Sequence, residues 1–306
     1  MRKYYTSENG FIELEDWQPE CWINIESPDL QDLLYLKDEL GVPKTFLDSA
    51  IDNDERPRFD HEDGWLLTIL RIPCYDPDMT EMYSTLTLAV ITKDDLLITV
   101  CNQRSQMLES FLKYSRRKHT IGVNKPDFIL HLIYMSTFWF LKYLKEINNY
   151  VTKSMIDLKK SVKNQDLYSM MQLQNSLVYF NTALKGNTTL VQRLDKVFED
   201  DCDIELLEDV EIELQQAINT ATIYVEILDT SMEMLASVIS NNVNDIMKKM
   251  TSVSIILMLP TLIASFYGMN VAVAFGNAKF AFFGIIIFSV AIAFIIYLWL
   301  KHIKWM

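Results

Sequence analysis

Residues 250–270 read MTSVSIILMLPTLIASFYGMN, and this stretch decides the architecture. No Asp, Glu, Lys or Arg occurs in Met250–Ala278, and none occurs in Phe280–Leu300. Each run contains the roughly 20 helical residues needed to cross a hydrocarbon core about 30 Å thick. The sequence therefore predicts two membrane-spanning helices, at residues 250–269 and 280–300.

Basic residues flank this helical pair at both outer ends. They are Lys248, Lys249, Lys301, His302 and Lys304. Because basic residues accumulate on the cytoplasmic side of a membrane, both chain termini are predicted to be cytoplasmic. The joining loop at residues 270–279 would then face outward with Asn270 at its mouth, and residues 301–306 would form a basic cytoplasmic tail. We expect a multi-pass protein of the cell membrane, in contact with lipid.

Composition excludes several other functional classes. The 306 residues carry a formal net charge of −13, which argues against a nucleic-acid partner because such a partner needs a basic surface. The four cysteines form no CxxC pair, so neither a zinc site nor a disulfide framework is expected. The four histidines are isolated, and neither a glycine-rich phosphate loop nor a nucleophile motif is present. The protein is not expected to be an enzyme.

The region before the spans is expected to be an α+β cytoplasmic domain followed by long helices. The predicted segments are an α/β domain at 1–124, a helical hairpin at 125–200 and a stalk helix at 201–249. Apolar residues at helical spacing from Ile204 onward meet no breaker before Pro260, which predicts one helix of roughly 60 residues. Such a helix cannot be covered within a monomer, so other helices or subunits must pack against it.

Local signals predict several elements within these segments. Tyr83–Thr92 and Leu96–Cys101 read as two strands of a hairpin. Ser27 is interpreted as the N-cap of a short helix, and Asn53–Asp63 as a charged turn region. Residues 163–166 are interpreted as a turn between two long helices.

A polar stripe runs along the first predicted span. It comprises Asn244, Met247, Met250, Ser254, Met258, Thr261 and Ser265. Intervals of three and four residues place them on one helical face. This face has two interpretations. It is either a helix-packing surface, as Ser and Thr often form in membranes, or the wall of a pore shared among subunits. Two spans per chain cannot enclose a pore alone, so the second interpretation requires an oligomer.

The sequence Tyr267-Gly268-Met269-Asn270 resembles the signature of the CorA family of divalent-cation channels. The preceding segment from Pro260, the basic C-terminus with Trp305 and the whole layout of the chain are also similar to that family. The resemblance implies a funnel-shaped homopentamer whose first spans line the pore. It also implies transport of hydrated Mg²⁺ into the cytoplasm, gated by cytoplasmic Mg²⁺, so that Mg²⁺ is both substrate and regulatory ligand.

The same resemblance assigns roles to individual residues. Ion selectivity falls to Gly268, Met269 and Asn270. The family's pore positions correspond to Asn244, Met247, Met250, Met258 and Thr261. Glu233 corresponds to an acid that binds regulatory Mg²⁺ between subunits. Its partner would come from the neighbouring α/β domain, where Asp76, Asp78 and Glu81 are the candidates.

One departure and several alternatives remain open. The loop after Asn270 contains no acid, whereas the family usually has one there, so the preferred ion is an open question. Co²⁺ or Ni²⁺ transport is an alternative because the methionines offer soft sulfur. A zinc transporter of the same superfamily is a further alternative. Such transporters usually have Ile at the position of Met269, so this methionine argues against zinc. A membrane-anchored oligomeric scaffold would explain the long helix but not the polar stripe.

Overall fold

The computed structural model describes residues 2–6, 10–77, 82–118, 124–158, 164–198, 202–269, 280–303 and 305. The chain divides into two compact units, Met1–Ser231 and Met232–Met306. The first unit is a mixed α/β domain extended by long helices, and the second contains two C-terminal apolar helices. This confirms the predicted class of fold.

A seven-stranded sheet forms the centre of the first unit, counted over the described residues. Its strands are β1 (Arg2–Thr6), β2 (Ile12–Leu14), β3 (Trp22–Glu26), β4 (Arg58–Glu62), β5 (Trp65–Tyr75), β6 (Tyr83–Lys93) and β7 (Leu96–Cys101). Their order across the sheet is β2-β1-β3-β7-β6-β5-β4. β3 and β7 are parallel, and the other neighbours are antiparallel. The predicted β6–β7 hairpin is present, with Lys93 paired to Leu96.

Helices follow and interrupt these strands. They are α1 (Leu30–Leu34), α2 (Lys44–Ile51), α3 (Gln106–Lys118), α4 (Lys125–Leu158), α5 (Asn164–Val197), α6 (Ile204–Tyr267) and α7 (Ala281–His302), with a single π-helical turn at Tyr35–Glu39. α6 has 64 residues, which confirms the long helix predicted from Ile204. Pro260 lies inside this helix without ending it.

The predicted start of the first helix was wrong by two residues. Asp29, in an extended conformation, is the N-cap, and its side chain accepts a hydrogen bond from the backbone N–H of Asp32. Ser27 has a φ of 50°, whereas an N-cap residue usually has an extended backbone.

The predicted charged turn region, Asn53–Asp63, was also wrong in part. Its second half forms β4, which pairs with β5 along its whole length. Asp63 and Gly64 connect these strands with φ values of 49° and 78°, the two positive angles that a type I′ turn requires. The turn expected at residues 163–166 was wrong for 164–166, which lie in α5, and Lys163 lies outside the described residues.

Both faces of the sheet are covered by apolar side chains. On one face, Ile23 and Ile25 of β3 belong to a core that includes Leu36, Phe46 and Ala50 from the first helices. On the other face, Trp22 packs against four aromatic rings, those of Tyr5, Phe11, Phe111 and Phe128. The alternation of strand side chains explains why neighbouring residues of β3 serve different cores.

The helix α5 is joined to the sheet by two adjacent residues. The buried amide of Asn187 accepts a hydrogen bond from the Arg71 backbone N–H (2.9 Å) and donates one to the Arg71 carbonyl (2.8 Å). These bonds replace a strand partner, because β4 pairs with β5 only as far as Ile69. At Gly186, an added Cβ would lie 2.8 Å from a side-chain carbon of Pro57, so only glycine permits this close approach.

Candidate functional site

The predicted polar stripe lies on the surface of α6 within the second unit. Asn244, Ser254 and Thr261 are exposed. The three methionines Met247, Met250 and Met258 are between 60% and 67% exposed, although they are apolar and long. Side chains at these positions follow the 3.6-residue period, so they form one continuous face.

Two of the three hydroxyl groups on this face, those of Ser254 and Thr261, are turned toward their own helix. Ser254 donates to the Met250 carbonyl (3.0 Å), and Thr261 donates to the Leu257 carbonyl (2.9 Å). Each hydroxyl hydrogen is therefore used, while the oxygen keeps lone pairs that can accept a hydrogen bond. A face of this kind offers oxygen acceptors and polarizable sulfur without any formal charge.

Two grooves follow the stripe. An open groove of about 490 Å³ is lined by Ser254, Leu257, Met258, Thr261, Leu262 and Ser265. A second, of about 310 Å³, is lined by Asn241, Asn244, Asp245, Met247, Lys248, Thr251 and Trp305. Asn241 and Thr251 were missed by the sequence analysis. Their spacing from Asn244, three residues before and seven after, is the signal that could have found them.

The predicted selectivity residues follow the C-terminal end of α6. The Gly268 N–H donates to the carbonyls of Ala264 (3.0 Å) and Ser265 (3.2 Å), which closes the last turn. Met269 is half-exposed, and Asn270 lies outside the described residues. The last carbonyls of a helix carry about half a negative charge, which attracts cations. The end of α6 is therefore electrostatically suited to a positive ion.

The predicted regulatory acids fall in different parts of the chain. Glu233 is exposed on α6 in the second unit. Asp76 follows β5 in the first unit, and its N–H donates to the Met82 carbonyl at 2.9 Å. Asp78 and Glu81 lie outside the described residues. Within the described part of one chain, His, Cys, Asp and Glu form no group of three that could hold a metal ion.

Both C-terminal helices are long and apolar enough to cross a membrane. Only 6% and 11% of the residues in their most apolar stretches are buried, which differs from the core helix of a soluble protein. A mixed α/β domain followed by two helices of this length and composition fits an integral membrane protein.

Comparison with known proteins identifies the family. Residues 18–302 match the family model described as CorA-like Mg²⁺ transporter protein, so the chain belongs to this family. It is 25% identical over 275 residues to the cobalt/magnesium transport protein CorA of Methanocaldococcus jannaschii, covering 85% of this chain and 82% of the relative.

Two further similarities support the same assignment. The cobalt/magnesium transport protein CorA of Thermotoga maritima is 20% identical over 279 residues, covering 88% of this chain and 79% of the relative. The complete structure of the M. jannaschii CorA magnesium transporter superposes with a TM-score of 0.82 at 21% identity, covering 100% of this chain and 99% of that chain. The fold of the whole chain is therefore shared.

Proposed function

We propose that this protein is a channel that carries hydrated Mg²⁺ across the cell membrane into the cytoplasm. The observation that carries the proposal is the exposed, uncharged face of α6, where methionines and hydroxyl oxygens line a span and lead to Gly268. The names of the two curated relatives, both cobalt/magnesium transport proteins, support the same cargo.

The channel is proposed to be a homo-oligomer, with five subunits as in the family that the sequence resembles. Two spans cannot enclose an aqueous path, and the polar face of α6 would be costly against lipid. In a ring of α6 helices, the polar face of each helix would point toward the central axis of the oligomer and line a water-filled path there. We propose that Asn244, Met247, Met250, Ser254, Met258 and Thr261 line this path.

Selectivity is proposed to depend on the water shell of the ion. Mg²⁺ loses water reluctantly and usually keeps several water molecules when it binds to proteins. A ring of Asn270 amide oxygens, backed by Gly268 and Met269, would accept hydrogen bonds from that shell. Neutral ligands hold the ion weakly enough to release it, as conduction requires. A membrane potential of about 100 mV supplies roughly 4.6 kcal/mol for a divalent ion moving inward.

Gating is proposed to follow the cytoplasmic Mg²⁺ concentration. Glu233 of one subunit and an acid near the β5–β6 loop of the next, drawn from Asp76, Asp78 and Glu81, would share a bound Mg²⁺. Carboxylates repel one another without the ion, so Mg²⁺ binding would stabilise the closed form. Met247 and Met250 are proposed to form an apolar constriction in the pore. With the Mg²⁺ site empty, the subunits would separate, and this constriction would widen and fill with water.

Ion flux into proteoliposomes tests the proposal. The uptake of Mg²⁺, Co²⁺, Ni²⁺ and Zn²⁺ would be compared at equal concentration. We expect uptake of Mg²⁺, and we expect this uptake to depend on an inside-negative potential. Co²⁺ is a second candidate cargo, since the thioether sulfurs of Met247, Met250 and Met258 suit a softer ion. Absence of flux for all four ions from a correctly assembled oligomer would favour the scaffold instead.

A further inference from the structure

A charged cavity lies in the first unit, between β1, β2, the end of β3 and α3. Its volume is about 570 Å³, within the range of roughly 300–1,000 Å³ typical of small-molecule sites. Its walls carry four cationic side chains: Lys3, Arg104, Lys113 and Arg116. The lining also holds three carboxylates, those of Glu13, Glu26 and Glu109, so its formal charge is +1, whereas the whole chain carries −13.

The carboxylates around the cavity already have partners. Glu13 forms an ion pair with Lys3 at 3.0 Å, and Glu109 forms one with Arg104 at 3.0 Å. Glu26 accepts hydrogen bonds from the Ser105 N–H (2.8 Å) and the Asn24 side chain (3.1 Å). Two of the four cations are thereby neutralised, and the third carboxylate caps the start of α3.

The other two cations lie together. Lys113 and Arg116 are three residues apart on α3 and so share one face of the helix. Within the described residues, neither forms an ion pair with a carboxylate. Arg116 donates its Nε–H to the Phe11 carbonyl (2.8 Å), which holds the side chain in position and leaves the terminal nitrogens to act as donors.

A third donor reaches the same cavity from the sheet. Tyr5 lines the cavity, and its ring packs on Trp22 at 5.1 Å between centroids. Burial, reinforced by the nearby carboxylates of Glu13 and Glu26, raises the pKa of Tyr5 to about 12. A tyrosine hydroxyl is protonated at neutral pH even without this shift, so it can donate a hydrogen bond to an anion.

We propose that this cavity binds a small organic phosphate, whose phosphate group contacts Lys113, Arg116 and the Tyr5 hydroxyl. Lys113, Arg116 and Tyr5 line the same cavity, and together they offer several hydrogen-bond donors to the acceptor oxygens of a phosphate. The planar guanidinium of arginine pairs with two such oxygens at once. The paired carboxylates of Glu13 and Glu109 line the rest of the cavity and can accept hydrogen bonds from hydroxyl groups. A phosphate monoester of a sugar or nucleoside has this combination of groups.

Binding to the full chain in detergent tests this proposal. Calorimetry and phosphorus NMR would be carried out in buffer free of phosphate and sulfate, with AMP, ribose phosphate, inorganic phosphate and ribose as probes. We expect saturable binding of ribose phosphate or AMP, weaker binding of inorganic phosphate and none of ribose. A preference between the first two identifies a nucleotide or a sugar phosphate as the ligand. Equal affinity for inorganic phosphate, or no saturable binding at millimolar concentration, would overturn the proposal.

Two variants test the contacts directly. Lys113→Ala removes a side chain without a hydrogen bond in the described structure, so the fold should be retained, and affinity should fall about tenfold with the loss of one charged donor. Tyr5→Phe removes only the hydroxyl and should weaken binding about threefold. Lys145→Ala removes an exposed cation on α4 and serves as the matched control. Unchanged affinity in both cavity variants would contradict the proposed site.

Discussion

Asn270 is the residue on which the proposed selectivity depends. Asn270→Ala removes the amide oxygen that would accept hydrogen bonds from the water shell of Mg²⁺, so selective flux should be abolished while assembly is retained. The measurement is Mg²⁺ uptake into proteoliposomes in competition with other ions, with the oligomer checked by light scattering.

The same loop provides a matched control for this variant. Asn277→Ala removes an identical side chain seven residues further along the chain and should leave flux unchanged. If Asn270→Ala conducts Mg²⁺ with the selectivity of the unmodified protein, Asn270 does not form the selective ring.

Asn187 is expected to contribute to stability, since its side chain joins α5 to the sheet. Asn187→Ala leaves the backbone N–H and C=O of the half-buried Arg71 without these two partners, at a cost of about 2–3 kcal/mol. Thermal unfolding of the full chain should show a Tm lower by about 5 °C. Lys185→Ala, an exposed residue on the same helix, should change the Tm by less than a degree. Equal effects of the two variants would mean that the Asn187 bonds add no stability.

The exposed face of α6 is proposed to constrict the pore. Met250→Gly, or Met247→Gly, removes a long apolar side chain from that constriction and should raise Mg²⁺ flux at high cytoplasmic Mg²⁺. Wetting of a narrow apolar passage depends on its width, so a wider passage admits water and ions more readily. Flux would be recorded at a fixed potential over a series of internal Mg²⁺ concentrations.

A control on the opposite face separates this effect from helix destabilisation. Ile263→Gly introduces the same residue into the same span and carries a similar cost of about 1 kcal/mol in helix propensity. It should not raise flux. An increase in both variants, or in neither, would show that the methionines do not form the constriction.

Some helices and strands could be predicted from the sequence more easily than others. α6 was predictable because its apolar period continues without Gly or Pro for more than fifty residues, and a long regular pattern outweighs local exceptions. β4 was missed because Arg58, Asp60, His61 and Glu62 suggested a solvated turn. The backbone N–H and C=O groups of β4 form hydrogen bonds with β5, and this pairing does not depend on which side chains β4 carries. The Asp63-Gly64 pair was the hairpin signal that could have corrected the interpretation.

The candidate site shows the same difference. Spacing alone predicted which residues share a face of α6, because a helix converts sequence intervals directly into angles. The cavity beside Tyr5 could not be predicted in this way. Its residues come from β1, β2, the end of β3 and α3, and the pairing of distant strands that brings them together leaves no periodic trace in the sequence.

The proposed gating requires contact between subunits. Glu233→Ala should raise the cytoplasmic Mg²⁺ concentration needed for closure, because the proposed shared site loses a charged ligand. Selectivity should not change, since Glu233 lies 11 residues and roughly 16 Å along the helix from Asn244. Glu233→Lys should favour closure even without Mg²⁺, because its ammonium group would replace the charge of the ion.

Protection from protease by Mg²⁺ gives a second readout of this site, since a ligand stabilises the form that it prefers. Glu205→Ala changes an exposed acid at the start of the same helix and is the control. Wild-type Mg²⁺ dependence in both Glu233 variants would place the sensor elsewhere.

The orientation of the whole chain is open to direct measurement. Ala274→Cys, in the loop between the spans, should react with a membrane-impermeant maleimide in intact cells. Native Cys202, which is partly exposed in the first unit, should react only after the cells are permeabilised. The reverse pattern would contradict cytoplasmic termini.

Pro260 makes the first span easier to bend at one turn than elsewhere. Proline has no amide hydrogen, so the carbonyl of Ile256, four residues earlier, loses its usual helical partner in a region where water is scarce. The bending stiffness of α6 is therefore lowest at this turn, since one fewer backbone bond resists flexure there. Elsewhere this 64-residue helix contains neither Gly nor Pro. Any bending of the span should concentrate between Ile256 and Pro260, and the segments on either side should move as stiff rods.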